Sequence, residues 1–127
     1  MVCVNGVRII DTLLDAVIAS GIEEIVIVHG YSKEQFNQLK TKCPMIRFID
    51  NLYFREINNI CSALYARHYL QNAYVFELDL VLFNPKLIRK YEYVSNYLGV
   101  PVERINDWCF DLKNKVISKL SIGGLNC

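Results

Sequence analysis

Hydrophobic positions in the first part of the chain follow a helical period and then a short continuous run. The i, i+3, i+4, i+7 spacing of an amphipathic helix is met by Ile10, Leu13, Leu14 and Val17. We therefore predict a helix over residues 11–20, with Asp11 as its N-cap and Gly21 at its end. The β-branched run EEIVIVHG that follows is typical of a strand buried on both faces of a parallel sheet.

A second helix and a second strand are predicted next. The stretch SKEQ matches a capping box, in which Ser32 accepts from the N3 amide and Gln35 reaches back, and Pro44 closes the helix that follows. Phe36, Leu39 and Cys43 would share one face of this helix. MIRFID is predicted as a short strand and NLYFREIN as a loop.

A third helix is predicted from near Asn58, a favoured N-cap residue, to near Leu70. Its buried face would consist of Ile57, Ile60, Cys61 and Leu64. AYVFEL is predicted as the third strand, and NPKLIRKY as a short helix with Pro85 in its first turn.

From Tyr91 onward the pattern changes to shorter alternating segments. YEYVSNYLGV, DWCFDL and VISKLSIGG alternate more strongly and are separated by turns such as KNK, which indicates antiparallel or edge strands. Together with the preceding order of helices and strands, this predicts an α/β domain with a mostly parallel sheet.

Composition narrows the class of protein. With 127 residues, 53% of them hydrophobic, and a net charge of +1, the chain is expected to be one globular domain without the basic footprint of a nucleic-acid-binding protein. The five cysteines contain no C-x-x-C pair and are expected to be reduced thiols. The apolar runs are far shorter than the roughly 20 residues that cross a bilayer. We expect a cytoplasmic protein without a membrane partner.

Two acids stand at the end of the third predicted strand. Glu77 and Asp79 are two residues apart, so an extended backbone points both to one face, at the sheet end where α/β proteins bind ligands. Buried carboxylates need compensation, and Mg²⁺ with one or two carboxylates and substrate phosphates would supply it. The alternative is that Glu77 faces an arginine and Asp79 caps a turn.

Two further features carry candidate chemistry. Asn58, Asn59 and Ser62 form a polar cluster at a helix start, where free N–H groups favour anions or base carbonyls; capping by Asn58 alone is the simpler interpretation. Trp108, the only tryptophan, adjoins Asp107 and suits a quaternary ammonium ligand, although a core or surface-covering role is more frequent.

The remaining polar residues offer little for other chemistries. His29 and His68 are far apart in sequence and are expected to be structural or exposed. We find no Ser/His/Asp order, no activated cysteine and no zinc-binding spacing, so the sequence gives hydrolases little support.

Several motifs in a fixed order carry a family resemblance. Residues 4–36, INNICSALYA, ELDLVLFNPKL, NDWCF and LSIGGLNC together resemble the sugar-nucleotide and choline-phosphate nucleotidyltransferases, and most of all the bacterial CTP:phosphocholine cytidylyltransferases. The resemblance implies a Rossmann-like three-layer core with a mostly parallel sheet. It also implies transfer of a nucleotidyl group from an NTP to a phosphorylated acceptor, with release of pyrophosphate. For this chain the resemblance implies CTP as the donor of a cytidylyl group and an acceptor such as phosphocholine.

The resemblance assigns residues to roles. Asp79 matches the family's metal-binding aspartate, which implies Mg²⁺ as cofactor. Asn58 and Asn59 match the N-N-x-x-S stretch beside the nucleotide pocket, and Trp108, with Asp107 beside it, matches the aromatic residue of the choline pocket. Glu77 falls where some members also carry an acid.

The chain departs from the family pattern at both ends. Family members begin with a strand and a glycine-rich phosphate loop, which would precede Met1, and they continue beyond Cys127. We therefore expect an incomplete core, a partial domain over residues 1–127 that is inactive and marginally stable by itself. Loss of the first strand would leave backbone groups of its neighbours unpaired.

Two other functions are compatible with the residues. One is a non-catalytic α/β module that binds a nucleotide or a subunit. The other is a doubly wound regulatory domain with Asp79 as phosphoacceptor, which would need further acids after the first strand, where this sequence has His29 and Gly30.

Overall fold

A small hairpin leads directly into the first helix. In the computed structural model, which describes residues 2–57 and 59–125, β1 (Cys3–Val4) pairs antiparallel with β2 (Val7–Arg8). The turn between them uses Asn5 and Gly6, both at positive φ, as a two-residue hairpin turn requires. Two compact units follow the chain order, Met1–Glu92 and Tyr93–Cys127.

The first helix, α1 (Ile9–Ala19), buries the face that its sequence predicts. The buried residues include all four of the predicted ones, namely Ile10, Leu13, Leu14 and Val17. Gly21 follows the helix at φ +78°, which confirms it as the terminating residue. The prediction of Asp11 as N-cap is wrong, because the helix begins two residues earlier and Asp11 forms an ion pair with Arg8 instead.

A parallel pair of strands forms the centre of the first unit. β3 (Ile25–His29) and β4 (Ile46–Asp50) pair residue by residue, from Ile25 with Ile46 to His29 with Asp50, which confirms both predicted strands. The core beneath them consists of Ile10, Leu14, Ile27, Leu39, Cys43 and Ile46. These strands bring their carboxyl ends to one edge of the sheet.

The segment between β3 and β4 is helical but does not start as predicted. A 3₁₀ helix (Lys33–Phe36) runs into α2 (Asn37–Lys42), which ends before Pro44. The predicted capping box is wrong: Ser32 has φ +51°, its side chain makes no capping hydrogen bond, and its backbone carbonyl accepts from the Gln35 N–H at 3.0 Å. A capping hydroxyl requires an extended Ser32, which the left-handed turn excludes.

The third helix has a different buried face from the one predicted. α3 (Asn59–Ala66) continues into a 3₁₀ helix (Arg67–Tyr69), close to the predicted span, while its predicted N-cap Asn58 lies outside the described residues. Of the predicted face only Cys61 is buried; the exposed members are Ile57, Ile60 and Leu64. Helical spacing identifies a face, but the described part of the chain supplies no element that covers this one.

Residues 73–77 form no strand, and Leu78 begins a turn. The sequence predicts a third strand here, yet among the described residues the parallel sheet contains only β3 and β4. Every second side chain of the segment is still partly buried, as the alternating pattern predicts. Tyr74 and Phe76 pack on a cluster of three buried residues, and Leu78 packs on the main core. The cluster consists of Ala16, Val17 and Ile88. The prediction of a strand is therefore wrong because this segment has strand-like side-chain contacts and no hydrogen-bonding neighbour strand.

The predicted short helix near Pro85 is a single 3₁₀ turn (Pro85–Leu87). Asn84 caps it by accepting from the Lys86 N–H at 3.1 Å, and Pro85 occupies the first position as expected. No helix within residues 2–57 and 59–125 is both long and apolar enough to cross a membrane.

The second unit is a long antiparallel hairpin. β5 (Arg104–Lys113) and β6 (Val116–Leu125) are joined through Asn114 and Lys115, both at positive φ, which confirms the predicted KNK turn. YEYVSNYLGV forms no strand, contrary to prediction, and Tyr97 within it packs on Phe110. The predicted α/β core with a parallel sheet and C-terminal antiparallel strands is thus confirmed.

The cysteines only partly match the expectation of reduced thiols. Cys43 and Cys61 are buried as free thiols in the first unit. Cys109 of β5 is disulfide-bonded, so the expectation is wrong for this residue. A disulfide depends on how closely two cysteines approach in the fold, which sequence spacing alone does not reveal.

Candidate functional site

Two candidate residues from different motifs meet in the first unit. The Nδ2 atom of Asn59, at the start of α3, donates to Oε1 of Glu77 at 3.2 Å. The alternative of an arginine facing Glu77 is therefore wrong, since its partner is a neutral amide. This contact orients the acid, but a neutral amide does not compensate its negative charge.

Asp79 lies with Leu78 in the turn that follows residues 73–77. The turn is closed by the Leu80 N–H, which donates to the carbonyl of Glu77 at 3.3 Å. The Asp79 side chain is exposed, and its carboxylate makes no hydrogen bond or ion pair with residues 2–57 or 59–125. The alternative that Asp79 caps this turn is therefore wrong. Its carboxylate is available to bind a cation.

The oxygen chemistry of this segment fits a hard divalent ion. Mg²⁺ commonly takes one or two protein carboxylates and completes its octahedron with water and phosphate oxygens. Asp79 offers one carboxylate that has no partner among residues 2–57 and 59–125, with a second acid two residues away at Glu77. Among the residues that the structure covers, no cluster of three or more His, Cys, Asp or Glu side chains offers a complete protein cage.

The predicted polar cluster at the start of α3 is divided between two directions. Asn59 turns toward Glu77, whereas the Ser62 hydroxyl accepts from Nδ2 of Asn51 at 3.2 Å. Asn58 lies outside the described residues, so its predicted nucleotide contact stays a prediction. Simple N-capping therefore does not account for Asn59 and Ser62.

Asn51, which the sequence analysis did not single out, joins the ends of both strands to α3. Its N–H donates to the carbonyl of His29 at 2.8 Å, and its Oδ1 accepts from the Tyr53 N–H at 3.0 Å. The Cys61 thiol also donates to Oδ1, at 3.5 Å. In a sequence, an asparagine directly after a strand usually indicates a turn. The longer-range contacts of Asn51 could therefore not be predicted from its position.

The loop after β4 closes over the end of β3. A Cβ placed on Gly30 would lie 2.5 Å from both Cβ and Cγ of Phe54, so the phenylalanine packs directly on the glycine backbone. Tyr31 and Arg55 flank the same ring. Gly30 is therefore required by close packing, and loop 51–57 is held against the carboxyl end of the sheet.

A shallow cavity of about 350 Å³ lies beside the ends of β3 and β4, with His29 and Asp50 in its wall. Nδ1 of His29 is 3.3 Å from Oδ1 of Asp50, and the imidazole packs between Phe36 and Phe48. The expectation that each histidine is structural or exposed is confirmed: His29 makes these packing contacts and His68 is exposed.

In the second unit, Trp108 and Asp107 occupy an irregular part of β5. A register shift lies between Ile105 and Trp108, and Oδ1 of Asp107 accepts from the Trp108 N–H at 2.7 Å. The Trp108 side chain faces Ile122 across the hairpin, and the residue is 58% exposed. Trp108 is thus a surface residue of the hairpin, and its core alternative is wrong.

Curated proteins with related sequences share a single chemistry. The chain is 33% identical to a 2-aminoethylphosphonate cytidylyltransferase of Lancefieldella rimae over 98% of its own length and 52% of that protein. It is 30% identical to a choline-phosphate cytidylyltransferase of Haemophilus influenzae, over 97% of this chain and 53% of the relative. A choline-phosphate cytidylyltransferase of Streptococcus pneumoniae is 33% identical over 85% of this chain.

Structural comparison leads to the same group of proteins. The solved structure of the CTP:phosphocholine cytidylyltransferase from Streptococcus pneumoniae matches 98% of this chain and 57% of that chain, with a TM-score of 0.90 and 28% identity. No protein-family model matches the sequence. The chain spans about half the length of the curated relatives it matches. Over the matched half of their length the chain is a homologue of these cytidylyltransferases, as its sequence motifs indicated, and its α/β fold is consistent with a Rossmann-like core.

Proposed function

We propose that this chain is the part of a cytidylyltransferase that binds CTP and a phosphorylated or phosphonate acceptor. The reaction would transfer the cytidylyl group to the acceptor, for example phosphocholine, and release pyrophosphate. The observation that carries the proposal is the exposed Asp79 carboxylate, which has no partner in the described part of the chain and lies two residues from Glu77, the acceptor of the Asn59 amide.

Charge explains why such a carboxylate is useful. Attack of an acceptor oxygen on the α-phosphorus of CTP brings two anions together, so catalysis depends mainly on positioning and charge neutralisation. We propose that Asp79 holds Mg²⁺, and a bound ion would neutralise the phosphates between which the bond forms. Because no ion pair within the described chain competes for Asp79, binding the ion breaks no existing contact.

Asn59 is proposed to contact the nucleotide, with Asn58 beside it in sequence. Its Nδ2 is engaged by Glu77, so its Oδ1 remains an acceptor for a donor group such as the exocyclic amine of cytosine. A residue at the start of a helix also presents backbone N–H groups that lack helical partners. Asn59 can therefore read a base while Glu77 fixes its rotamer.

Trp108 is proposed to bind the cationic end of the acceptor. The acceptors named for the relatives, choline phosphate and 2-aminoethylphosphonate, both combine a cationic amine with a phosphorus group. An exposed indole face attracts such a cation, and Asp107 adds negative charge beside it. A cytoplasmic location is proposed as well, because CTP is a cytoplasmic metabolite.

Calorimetric titration of the chain with CTP in the presence of Mg²⁺ tests this function. We expect saturable binding of CTP and clearly weaker binding of GTP, whose larger base presents a different hydrogen-bonding edge. Absence of any nucleotide binding would contradict the proposal and favour the alternative of a non-catalytic interaction module.

Catalysis by residues 1–127 alone is a separate question. From the sequence we expect no turnover without the phosphate loop of the family, even where CTP binds. Pyrophosphate release from CTP with phosphocholine or 2-aminoethylphosphonate measures this directly, and steady turnover would show that the described residues suffice for the reaction.

A further inference from the structure

We propose that Asn51 is a positioning residue for the nucleotide site: it holds α3, and with it Asn59, in place against the ends of β3 and β4. The inference rests on the proposed function, because Asn59 matters to catalysis only if a nucleotide binds there. Among the described residues, Asn51 is the only polar residue that is buried, with 5% of its surface exposed.

The contacts of Asn51 reach three separate parts of the first unit. Its backbone N–H is fixed by the carbonyl of His29 at the end of β3, at 2.8 Å. Its Oδ1 accepts from the Tyr53 N–H in loop 51–57, at 3.0 Å. On α3 it contacts Ser62 through Nδ2 at 3.2 Å and Cys61 through Oδ1 at 3.5 Å. Through its backbone N–H and its side chain together, Asn51 thus links the sheet, the loop and the helix.

These links determine where Asn59 lies. Ser62 follows Asn59 by three residues, which is nearly one helical turn, so a contact to Ser62 also fixes the first turn of α3. Asn59 in turn donates to Glu77 at 3.2 Å, and Glu77 precedes Asp79 by two residues. A continuous series of hydrogen bonds therefore runs from the end of β3 through Asn51 and α3 to the acidic segment.

Only a small part of the apolar surface of α3 is buried. Ile60 and Leu64 are exposed, Tyr65 is half-buried, and Cys61 is buried. Apolar packing therefore constrains α3 only weakly, and the directional bonds of Asn51 carry much of its orientation. The buried Asn51 amide is hydrogen-bonded through both its oxygen and its nitrogen. It therefore favours one position of α3, because another position would leave these polar groups buried without hydrogen-bond partners.

The first test compares the binding of Mg²⁺–CTP by the wild-type chain and by Asn51→Ala, at a temperature where both are folded. We expect the dissociation constant to rise about tenfold, the size of effect typical when a residue that orients ligand-binding groups is removed. Asn84→Ala is the matched control, because Asn84, like Asn51, accepts with its side chain from the backbone N–H two residues ahead but lies outside this series of contacts. It should bind as the wild type does.

The second test reports the position of α3 without a nucleotide. The thiol of Cys61, which is 5% exposed, donates a hydrogen bond to Asn51. Cys43, which is 1% exposed, lies in the main core away from Asn51. Thiol labelling followed by peptide mass spectrometry should show faster modification of Cys61 in Asn51→Ala and an unchanged rate at Cys43. A merely destabilised protein would instead react faster at both cysteines.

The outcomes separate this inference from the proposed function. If the wild type binds CTP and Asn51→Ala binds equally well, the positioning role is wrong and the function stands. If the wild type binds no CTP, the proposed function is wrong, and thiol labelling alone tests whether Asn51 holds the helix. The inference is overturned if Cys61 is modified at the same rate in the wild type and in Asn51→Ala. It is also overturned if Cys61 and Cys43 are both modified faster in Asn51→Ala.

Discussion

The side-chain amide of Asn59 donates to the carboxylate of Glu77 at 3.2 Å, across 18 residues of sequence. This contact joins the start of α3 to the acidic segment that contains Asp79. Two motifs that resemble separate parts of a cytidylyltransferase are therefore adjacent in the first unit, and their adjacency can be tested by changing charge.

Asn59→Asp should place a second carboxylate against Glu77. We expect the exposed like-charge pair to lower the free energy of unfolding by about 0.5 kcal/mol, and urea denaturation at pH 7 measures this change. Adding Glu77→Gln should reverse the loss, because the charge repulsion disappears. Equal stability of Asn59→Asp with and without Glu77→Gln would show that the two side chains do not interact in solution.

Gly30→Ala should destabilise the chain because its Cβ would collide with Phe54. The nearest atoms belong to the base of the phenylalanine side chain, so rotation of the ring cannot relieve the contact. We expect a loss of about 1–3 kcal/mol in thermal or urea unfolding. Gly99→Ala is the control, since a Cβ at Gly99 meets nothing within 4 Å. A comparable loss in both variants would contradict the packing account.

Asp11 should stabilise the first unit in a pH-dependent way. Burial disfavours its charge, but the hydrogen bond from Arg8 and the charge of Lys42 outweigh burial and hold the pKa of Asp11 below its usual value of 3.8. Because the folded state has the lower pKa, the stabilisation is present above this value and disappears as the pH falls through the lowered pKa.

Asp11→Asn should therefore cost about 1 kcal/mol of unfolding free energy at pH 7, as a network of partly buried ion pairs allows. Urea denaturation at several pH values should show the difference from wild type closing below pH 3.8. Asp15→Asn is the control, because Asp15 pairs with Lys42 from a more exposed position. A difference that persists unchanged at low pH would contradict the ion-pair explanation.

Trp108 allows acceptor binding to be followed directly, since it is the only tryptophan. Phosphocholine should change its fluorescence saturably, whereas ethyl phosphate, which lacks the ammonium group, should have little effect. In calorimetric titrations, Trp108→Ala should weaken phosphocholine binding roughly 3- to 30-fold, the range of a cation–π contact. Leu112→Ala, at another exposed apolar position of β5, should leave the affinity unchanged.

Elements with a strong local signal could be predicted from the sequence. The four apolar positions of α1 are buried as their spacing requires, and the β-branched run of β3 pairs with β4 as expected of buried parallel strands. Gly21 at positive φ ends α1 because the left-handed conformation costs glycine little.

Features that depend on distant neighbours could not be predicted. Residues 73–78 have the alternation of a strand, but strand formation needs a hydrogen-bonding partner that alternation does not specify. Ile60 and Leu64 have helical spacing, but whether they are buried depends on what covers them. The role of Asn51 depends on His29 and Ser62, which are remote in sequence, and so no local pattern indicates it.

The central claim is that Asp79 binds the metal ion of a magnesium–nucleotide complex. The most direct measurement is the affinity for CTP with Mg²⁺ and with EDTA, in the wild type, in Asp79→Asn and in the control Asp111→Asn. We predict that Mg²⁺ strengthens CTP binding about 10- to 100-fold in the wild type and in Asp111→Asn, and that this enhancement is lost in Asp79→Asn. An undiminished enhancement in Asp79→Asn would contradict the account.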